Sequence, residues 1–142
     1  MAEVVNKILR GTFGRLWAQG KRLANVKSFE AKATLKYETV DINGELCEQQ
    51  RYLGYSLAGT IVVHKTDTYL VNLILNGMVT GSMPPIKLVG RLADPDANGS
   101  ERVEIYDVTF DEATLMQFEN ATVSEESVPF KAGGFRYLDK IL

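Results

Sequence analysis

The sequence predicts a mainly β fold: an antiparallel β-sandwich or barrel with one flanking α-helix. Three observations carry this reading. Apolar and polar residues alternate with period two over several long segments, as expected of strands with one buried face. Clusters of Gly, Asn, Asp and Pro separate those segments, at the spacing of strands in a sandwich. A single stretch shows helical spacing together with start and stop signals.

Taken in order, Thr12 to Ala18 carries Phe13, Leu16 and Trp17 between Gly11 and Gly20 and reads as a short strand. Gln19-Gly20 offers a tight turn, since Gly accepts positive φ. A second strand is expected to begin near Leu23. Lys27 to Val40 is the clearest element. Phe29, Ala31, Ala33, Leu35 and Tyr37 alternate with Glu30, Lys32, Thr34, Lys36 and Glu38. The first set is expected to be buried and the second to face water. Asp41-Ile42-Asn43-Gly44 signals a turn, and Asp41 to Gly54 reads as one long polar loop. A loop of that length in a compact domain points to a contact or a mobile element.

A strand resumes at Tyr55 to Lys65, with Tyr55, Leu57, Gly59, Ile61 and Val63 on one face. Thr66 or Asp67 is a candidate N-cap. Tyr69, Leu70, Leu73 and Ile74 form an apolar stripe, and Gly77 is the expected C′ residue of a helix of about ten residues. Ile86 to Leu92 and Arg102 to Phe110 are strands around the polar turn Asp94 to Gly99. Thr114 to Phe118 and Ser127 to Phe130 are shorter candidate strands, and Gly133-Gly134 hinges an apolar tail from Phe135 to Leu142. Residues 1–142 are expected to form a single domain, with no repeat or low-complexity tract.

Composition narrows the function classes. A hydrophobic share of 45% supports a full core. Net charge is −2 with signs mixed along the chain, so nothing draws it generally to nucleic acid or anionic membranes. Lys21, Arg22 and Lys27 cluster near the start, as a solvated strand edge or, less simply, a phosphate patch. The lone Cys47 excludes an intrachain disulfide and favours a reducing compartment. No apolar run reaches the roughly 20 residues of a membrane span, and no signal-peptide core is visible, so a cytoplasmic chain without stable membrane association is expected. The sequons at Asn98 and Asn120 carry no meaning without a secretory route.

The search for chemistry assigns no catalytic, cofactor-binding or metal-binding residue. Cys47 and His64 could nominally form a nucleophilic pair, but no elbow or helix start flanks Cys47. One His and one Cys do not make a tetrahedral zinc site. Asp94, Asp96 and Asn98 have the spacing that opens a calcium loop, yet Pro95 intrudes and Ile105 stands where the bidentate Glu is needed. Asp107, Asp111 and Glu112 read as a solvated strand end. A small ligand-binding barrel remains the alternative among non-enzymes.

The order and spacing of many short pieces carry a family resemblance. Gly11-Thr12-Phe13-Gly14-Arg15-Leu16-Trp17 leads into Ala24-Asn25-Val26-Lys27-Ser28-Phe29-Glu30-Ala31. Arg51-Tyr52-Leu53-Gly54-Tyr55-Ser56, Gly59-Thr60 and His64-Lys65 follow. Then come Glu101-Arg102-Val103-Glu104-Ile105-Tyr106-Asp107-Val108-Thr109-Phe110-Asp111 and Glu125-Glu126-Ser127-Val128-Pro129-Phe130. Over nearly its whole length the chain resembles the tail tube proteins of PBSX-type phages and R-type bacteriocins of the diffocin kind. The resemblance implies a β-barrel or sandwich with one helix, hexameric rings stacked into a hollow tube, and a surrounding sheath in contractile particles. Its implied partners are further copies of itself, a sheath protein, a baseplate or initiator and a tape-measure protein, with no specific nucleic-acid sequence. A type VI secretion-like tube is a related possibility. On this frame Glu30, Lys32, Thr34, Lys36 and Glu38 are expected to face the lumen. Asn43, Gly44, Glu45, Leu46, Glu48, Gln49, Gln50 and Arg51 are expected to reach a neighbouring copy, as are Met1–Arg10 and Phe135–Leu142. The chain would assemble in the cytoplasm and end in a phage-tail-like particle.

Overall fold

A computed structural model describes residues 2–142. Met1, part of the N-terminal contact segment expected above, lies outside them. The elements run α1 (Ala2–Asn6), a 3-10 turn (Gly11–Phe13), β1 (Gly14–Ala18), β2 (Lys21–Arg22), β3 (Val26–Val40), β4 (Gln49–His64), α2 (Tyr69–Thr80), β5 (Ile86–Leu92), β6 (Glu101–Phe110), β7 (Glu125–Ala132) and β8 (Gly134–Asp139). All strand pairings are antiparallel, in the order β2-β1-β5-β6-β7-β4-β3, with β8 also on β6. The fold class is thus the one the periodicity predicts, with a short extra helix at the N-terminus. No helix among the described residues is long and apolar enough to cross a membrane.

The sheet turns a corner at β6. Its first part pairs with β5 on one side and β8 on the other. Its last residues, Thr109 and Phe110, pair with β7. Between them Asp107 takes φ +53°, and Tyr106 and Asp107 bulge against the single residue Lys87. The Gly133 N–H donates to the carbonyls of Tyr106 and Asp107 at 3.2 and 3.1 Å, closing the corner. The two halves of the sheet therefore face each other. Leu16, Ala18, Leu88, Ile86, Ile105 and Val108 meet Ile61, Val63, Val128 and Phe130 in one core. Burying Phe130 alone contributes about 1.5–3 kcal/mol.

Close packing at two glycine positions sets this geometry. Gly59 of β4 leaves room for the Phe130 ring, which lies parallel to Phe29 at 6.0 Å. Gly90 of β5 faces the Phe29 ring from the opposite half of the sheet. The turn between β1 and β2 has Gln19 and Gly20 at φ +51° and +82°, the two positive angles of a type I′ hairpin. Gln19 is held there because its side chain accepts from Lys87 N–H and donates to the Pro85 carbonyl.

Several expectations are corrected. β2 ends before Leu23, which is instead buried in the core. The polar loop is shorter than expected: Gln49–Gly54 extends β4, because it pairs with the far end of β3. α2 runs past Gly77, which is packed under Met83, and ends at Gly81 with φ +84°. The N-cap is Thr68 rather than Thr66 or Asp67, with the Asp67 carboxylate one residue earlier accepting from Tyr69 N–H at 3.2 Å. Thr114 to Phe118 is not a strand: β6 stops pairing at Phe110, and no partner edge meets the segment. Glu125 and Glu126 lie within β7, where Glu126 is buried and paired with Lys65 at 2.8 Å.

The expected burial of Phe29, Ala31, Ala33, Leu35 and Tyr37 holds in part for Phe29 alone. The others are exposed, because α2 does not cover them: its Tyr69 hydroxyl donates to Ala18 O, and Leu70 and Ile74 pack into the core beside β1. The polar turn at Asp94 is likewise more than a turn. The Asp94 carboxylate is buried and accepts from Arg10 Nε at 2.7 Å, Arg10 Nη2 at 2.8 Å and the Asp96 N–H at 3.0 Å.

Candidate assembly surface

The β3–β4 hairpin is the most unusual element. Its strands are 15 and 16 residues long, where strands of five or six are typical. β7 accompanies β4 only as far as Leu57, opposite Ala132. Beyond that point the hairpin projects as two strands alone, which is marginal for an isolated ribbon in water. β3 also ends the sheet, so its outer edge presents an unpaired row of backbone N–H and C=O groups. Long uncovered edges of this kind are templates for pairing with another chain.

The register fixes what each face shows. On one face Leu35 lies opposite Tyr55, and Tyr37 opposite Tyr52. Leu35, Tyr37 and Tyr55 are 52%, 52% and 50% exposed, which is high for a cross-strand apolar cluster. Tyr37 and Tyr52 meet edge to face at 5.6 Å. Tyr55 meets Phe135 at 6.1 Å, and Phe135 meets Tyr137 at 6.2 Å, so β8 continues the aromatic surface. Leu53, the extra residue of a bulge opposite Lys36 and Tyr37, is also exposed.

The opposite face of β3 carries Glu30, Lys32, Thr34, Lys36 and Glu38, all exposed, as the alternation expects. Lys32 Nζ approaches Glu30 at 3.5 Å, and Glu38 lies opposite Arg51. Of the residues expected in the contact loop, Asn43, Gly44, Glu45, Leu46 and Glu48 do form the tip. Glu45 N–H donates to Ile42 O in a turn that takes Gly44 to φ +90°. Leu46 is fully exposed there. Gln49, Gln50 and Arg51 belong to β4, with the Gln50 amide donating to the Thr39 hydroxyl at 3.0 Å.

The nominal Cys47–His64 pair is not brought together. Cys47 sits at the exposed hairpin tip and His64 at the far end of the 16-residue β4. At about 3.3 Å per residue they are on the order of 50 Å apart. Among the described residues no three His, Cys, Asp or Glu side chains group as a metal site. Asp94, first of the calcium-like set, is instead committed to Arg10, whose hydrogen bonds, with the Asp96 N–H, hold its carboxyl well below the usual carboxylate range. This clamp fixes residue 10, from which the N-terminal arm departs with Val4, Val5 and Ile8 exposed. The sequence gives no local sign of it, since 84 residues separate the partners.

The other perturbed groups tie down edges of the sheet. Arg136 donates to Glu104 at 2.8 Å and lowers its pKa, with Lys87 adding to the effect, so β8 is locked to β6. Lys27 does the same to Glu125 at 2.9 Å. Of the early basic cluster, Lys27 is thereby paired and Lys21 lies 4.3 Å from the Tyr69 ring.

Comparison with known proteins bears on this surface. The chain is 31% identical to the phage-like element PBSX protein XkdM of Bacillus subtilis, over 99% of this chain and 97% of that one. It is also 31% identical to YqbM of the same organism, over 92% and 90%. A solved Bacillus subtilis protein, again 31% identical, superposes with a TM-score of 0.53 over 90% of this chain and 93% of its own. The fold is shared more closely with a chain of the sheath–tube complex of the extracellular contractile injection system PVC, at TM-score 0.71, 9% identity and 96% and 95% coverage. The family model described as phage tail tube protein matches residues 4–139, and the chain belongs to that family.

Proposed function

We propose that residues 1–142 act as one tube-forming domain, six copies closing into a ring and rings stacking into a hollow inner tube. The single observation that carries this reading is the projecting β3–β4 hairpin, with an open edge and an uncovered aromatic face that a lone subunit leaves in water. A ring removes both liabilities by pairing edges and covering faces between copies. The tube belongs to a contractile phage-tail-like particle, a phage tail or an R-type bacteriocin, that penetrates a target envelope. Its likeness to a chain of a sheath–tube complex supports a sheath protein as partner. A baseplate or initiator and a tape-measure protein complete the set. The role is structural rather than enzymatic, with assembly in the cytoplasm before incorporation into the particle. Within it Glu30, Lys32, Thr34, Lys36 and Glu38 line the channel, and the Asn43–Glu48 tip, with Gln49–Arg51 behind it, reaches a neighbouring copy.

Negative-stain microscopy with light scattering over a concentration series tests this, with preformed tube ends added as seeds. Rings or tubes with a central hole are expected. A chain that stays monomeric even with seeds overturns the reading. Deleting Asn43–Gln49 should leave a folded monomer that no longer forms tubes, and intact tubes would remove the tip from the contact.

A further inference from the structure

Two further surfaces are open, and their properties are opposite. The first is a cleft of about 1110 Å³ that opens along β3 between the two halves of the sheet. Its floor is apolar, with Phe29, Ala31, Leu57 and Phe135. Its rim is basic: Arg15, Arg22 and Arg91 stand there with Glu101, beside Lys27, which is paired with Glu125, and Lys32, which lies 3.5 Å from Glu30. That is a local excess of positive charge on a chain whose net charge is −2. The second is the connection from Asp111 to Ser124 between β6 and β7. It has no regular secondary structure and contains Asp111, Glu112 and Glu119 with no basic residue. It also holds its large apolar side chains out to water, with Met116 81% and Phe118 82% exposed. Irregular connections of this length in a compact domain are usually functional.

We infer that the Asp111–Ser124 segment of one copy docks in the basic-rimmed cleft of the next. This rests on the ring-forming reading above and names the surfaces that meet. The chemistry matches on three counts. The acidic segment meets the basic rim. Met116 and Phe118 supply apolar anchors to an apolar floor. The segment makes no strand ladder of its own, so its backbone is free to pair along the open edge of β3. Segment and cleft are different surfaces of one molecule, so the contact is head to tail and repeats around a ring. Within one copy β4 lies between β7, where the segment ends, and β3.

Site-directed cross-linking tests it. Cys47→Ser removes the native thiol. Gln117→Cys, beside the anchor Phe118, is then placed in one batch and Ala31→Cys in a second batch carrying a size tag. Both positions are exposed, so folding should be intact. After mixing, assembly and mild oxidation, a mixed dimer is expected on a non-reducing gel, about tenfold above the like-with-like dimers of either variant. Particles without the mixed dimer overturn this pairing and leave the tube reading standing. A chain carrying both cysteines that links only within itself as a monomer shows that the segment covers its own cleft, which also overturns it. Absence of both particles and dimers, with seeds present, sinks the two readings together. As a second measure, reversing Arg22 and Arg91 to Glu should raise the concentration at which particles appear by about tenfold or more. A copy with Asp111→Lys and Glu112→Lys should restore assembly with that variant. An unchanged threshold, or no restoration, counts against the docking.

Discussion

Replacing Gly59 with Ala probes the packing that joins β3, β4 and β7. A methyl group at this position would sit 2.6 Å from Phe130 Cζ and 3.0 Å from Ala31 Cα, and would also collide with the Glu30 carbonyl. Carbon contacts are comfortable at about 3.5–4.0 Å, so the ring must shift by roughly 1 Å. The backbone of β3 must move away from β4 as well. Overpacking of this kind costs about 1–3 kcal/mol, and the lower chain entropy of Ala in the unfolded state offsets about 0.5–1 kcal/mol. A net loss of about 1–2 kcal/mol is expected. With a urea m-value of about 2 kcal/mol/M, the unfolding midpoint should fall by about 0.5–1 M. Gly11→Ala is the control, since no atom lies within 4 Å of its added carbon; its effect should stay within about 0.5 kcal/mol. Phe130→Leu on the Gly59→Ala background should cost less than on the wild type, because the two sites compete for one space. If Gly59→Ala moves the midpoint no more than Gly11→Ala, the packing account of this junction is wrong.

Asp94→Asn should change the acid limb of stability. Arg10 holds the folded-state pKa of Asp94 below the ordinary value of 3.8, so its contribution is present above about pH 4 and is lost as pH falls through the folded value. The variant's stability should therefore vary less with pH below 4 than the wild type's, as followed by urea midpoints across pH; parallel curves would discount the clamp. Leu35→Ser and Tyr37→Ser remove exposed side chains from the hairpin, so the monomer's unfolding midpoint should change by less than about 0.5 kcal/mol-equivalent while tube formation is lost. Assembly that survives both substitutions would remove this face from the contacts.

Much of the fold is legible in the sequence where a strand has one wet face and one dry face, or where turn chemistry is unambiguous. Ile86–Leu92 has the predicted bounds, and Gln19-Gly20 makes the expected two-residue turn. Gln49–Gly54 was hidden because it is wet on both faces, so its residues carry no period-two signal even though they pair in register. The end of α2 misled because Gly77 and Gly81 are both glycines; what separates them is Met83 packed against one and a left-handed φ at the other. Thr114–Phe118 has the apolar content of a strand but no neighbouring edge to pair with. In the assembly surface, alternation identified the polar face of β3 correctly. It also assigned the opposite face to the core, because alternation marks an apolar face without saying what, if anything, covers it; in this chain Leu35 and Tyr37 are exposed.

β6 has a consequence for how the molecule comes apart. It is the single strand common to both halves of the sheet, bonded to β5 and β8 along its first part and to β7 at its end. Neither half can peel away without opening the shared core, since Ile61, Val63, Val128 and Phe130 of one half pack on Leu16, Leu88, Ile105 and Val108 of the other. Fraying is then confined to the ends of the path, β2 and the outer hairpin, and the centre melts in one cooperative step. A subunit built this way has no half-open state to occupy.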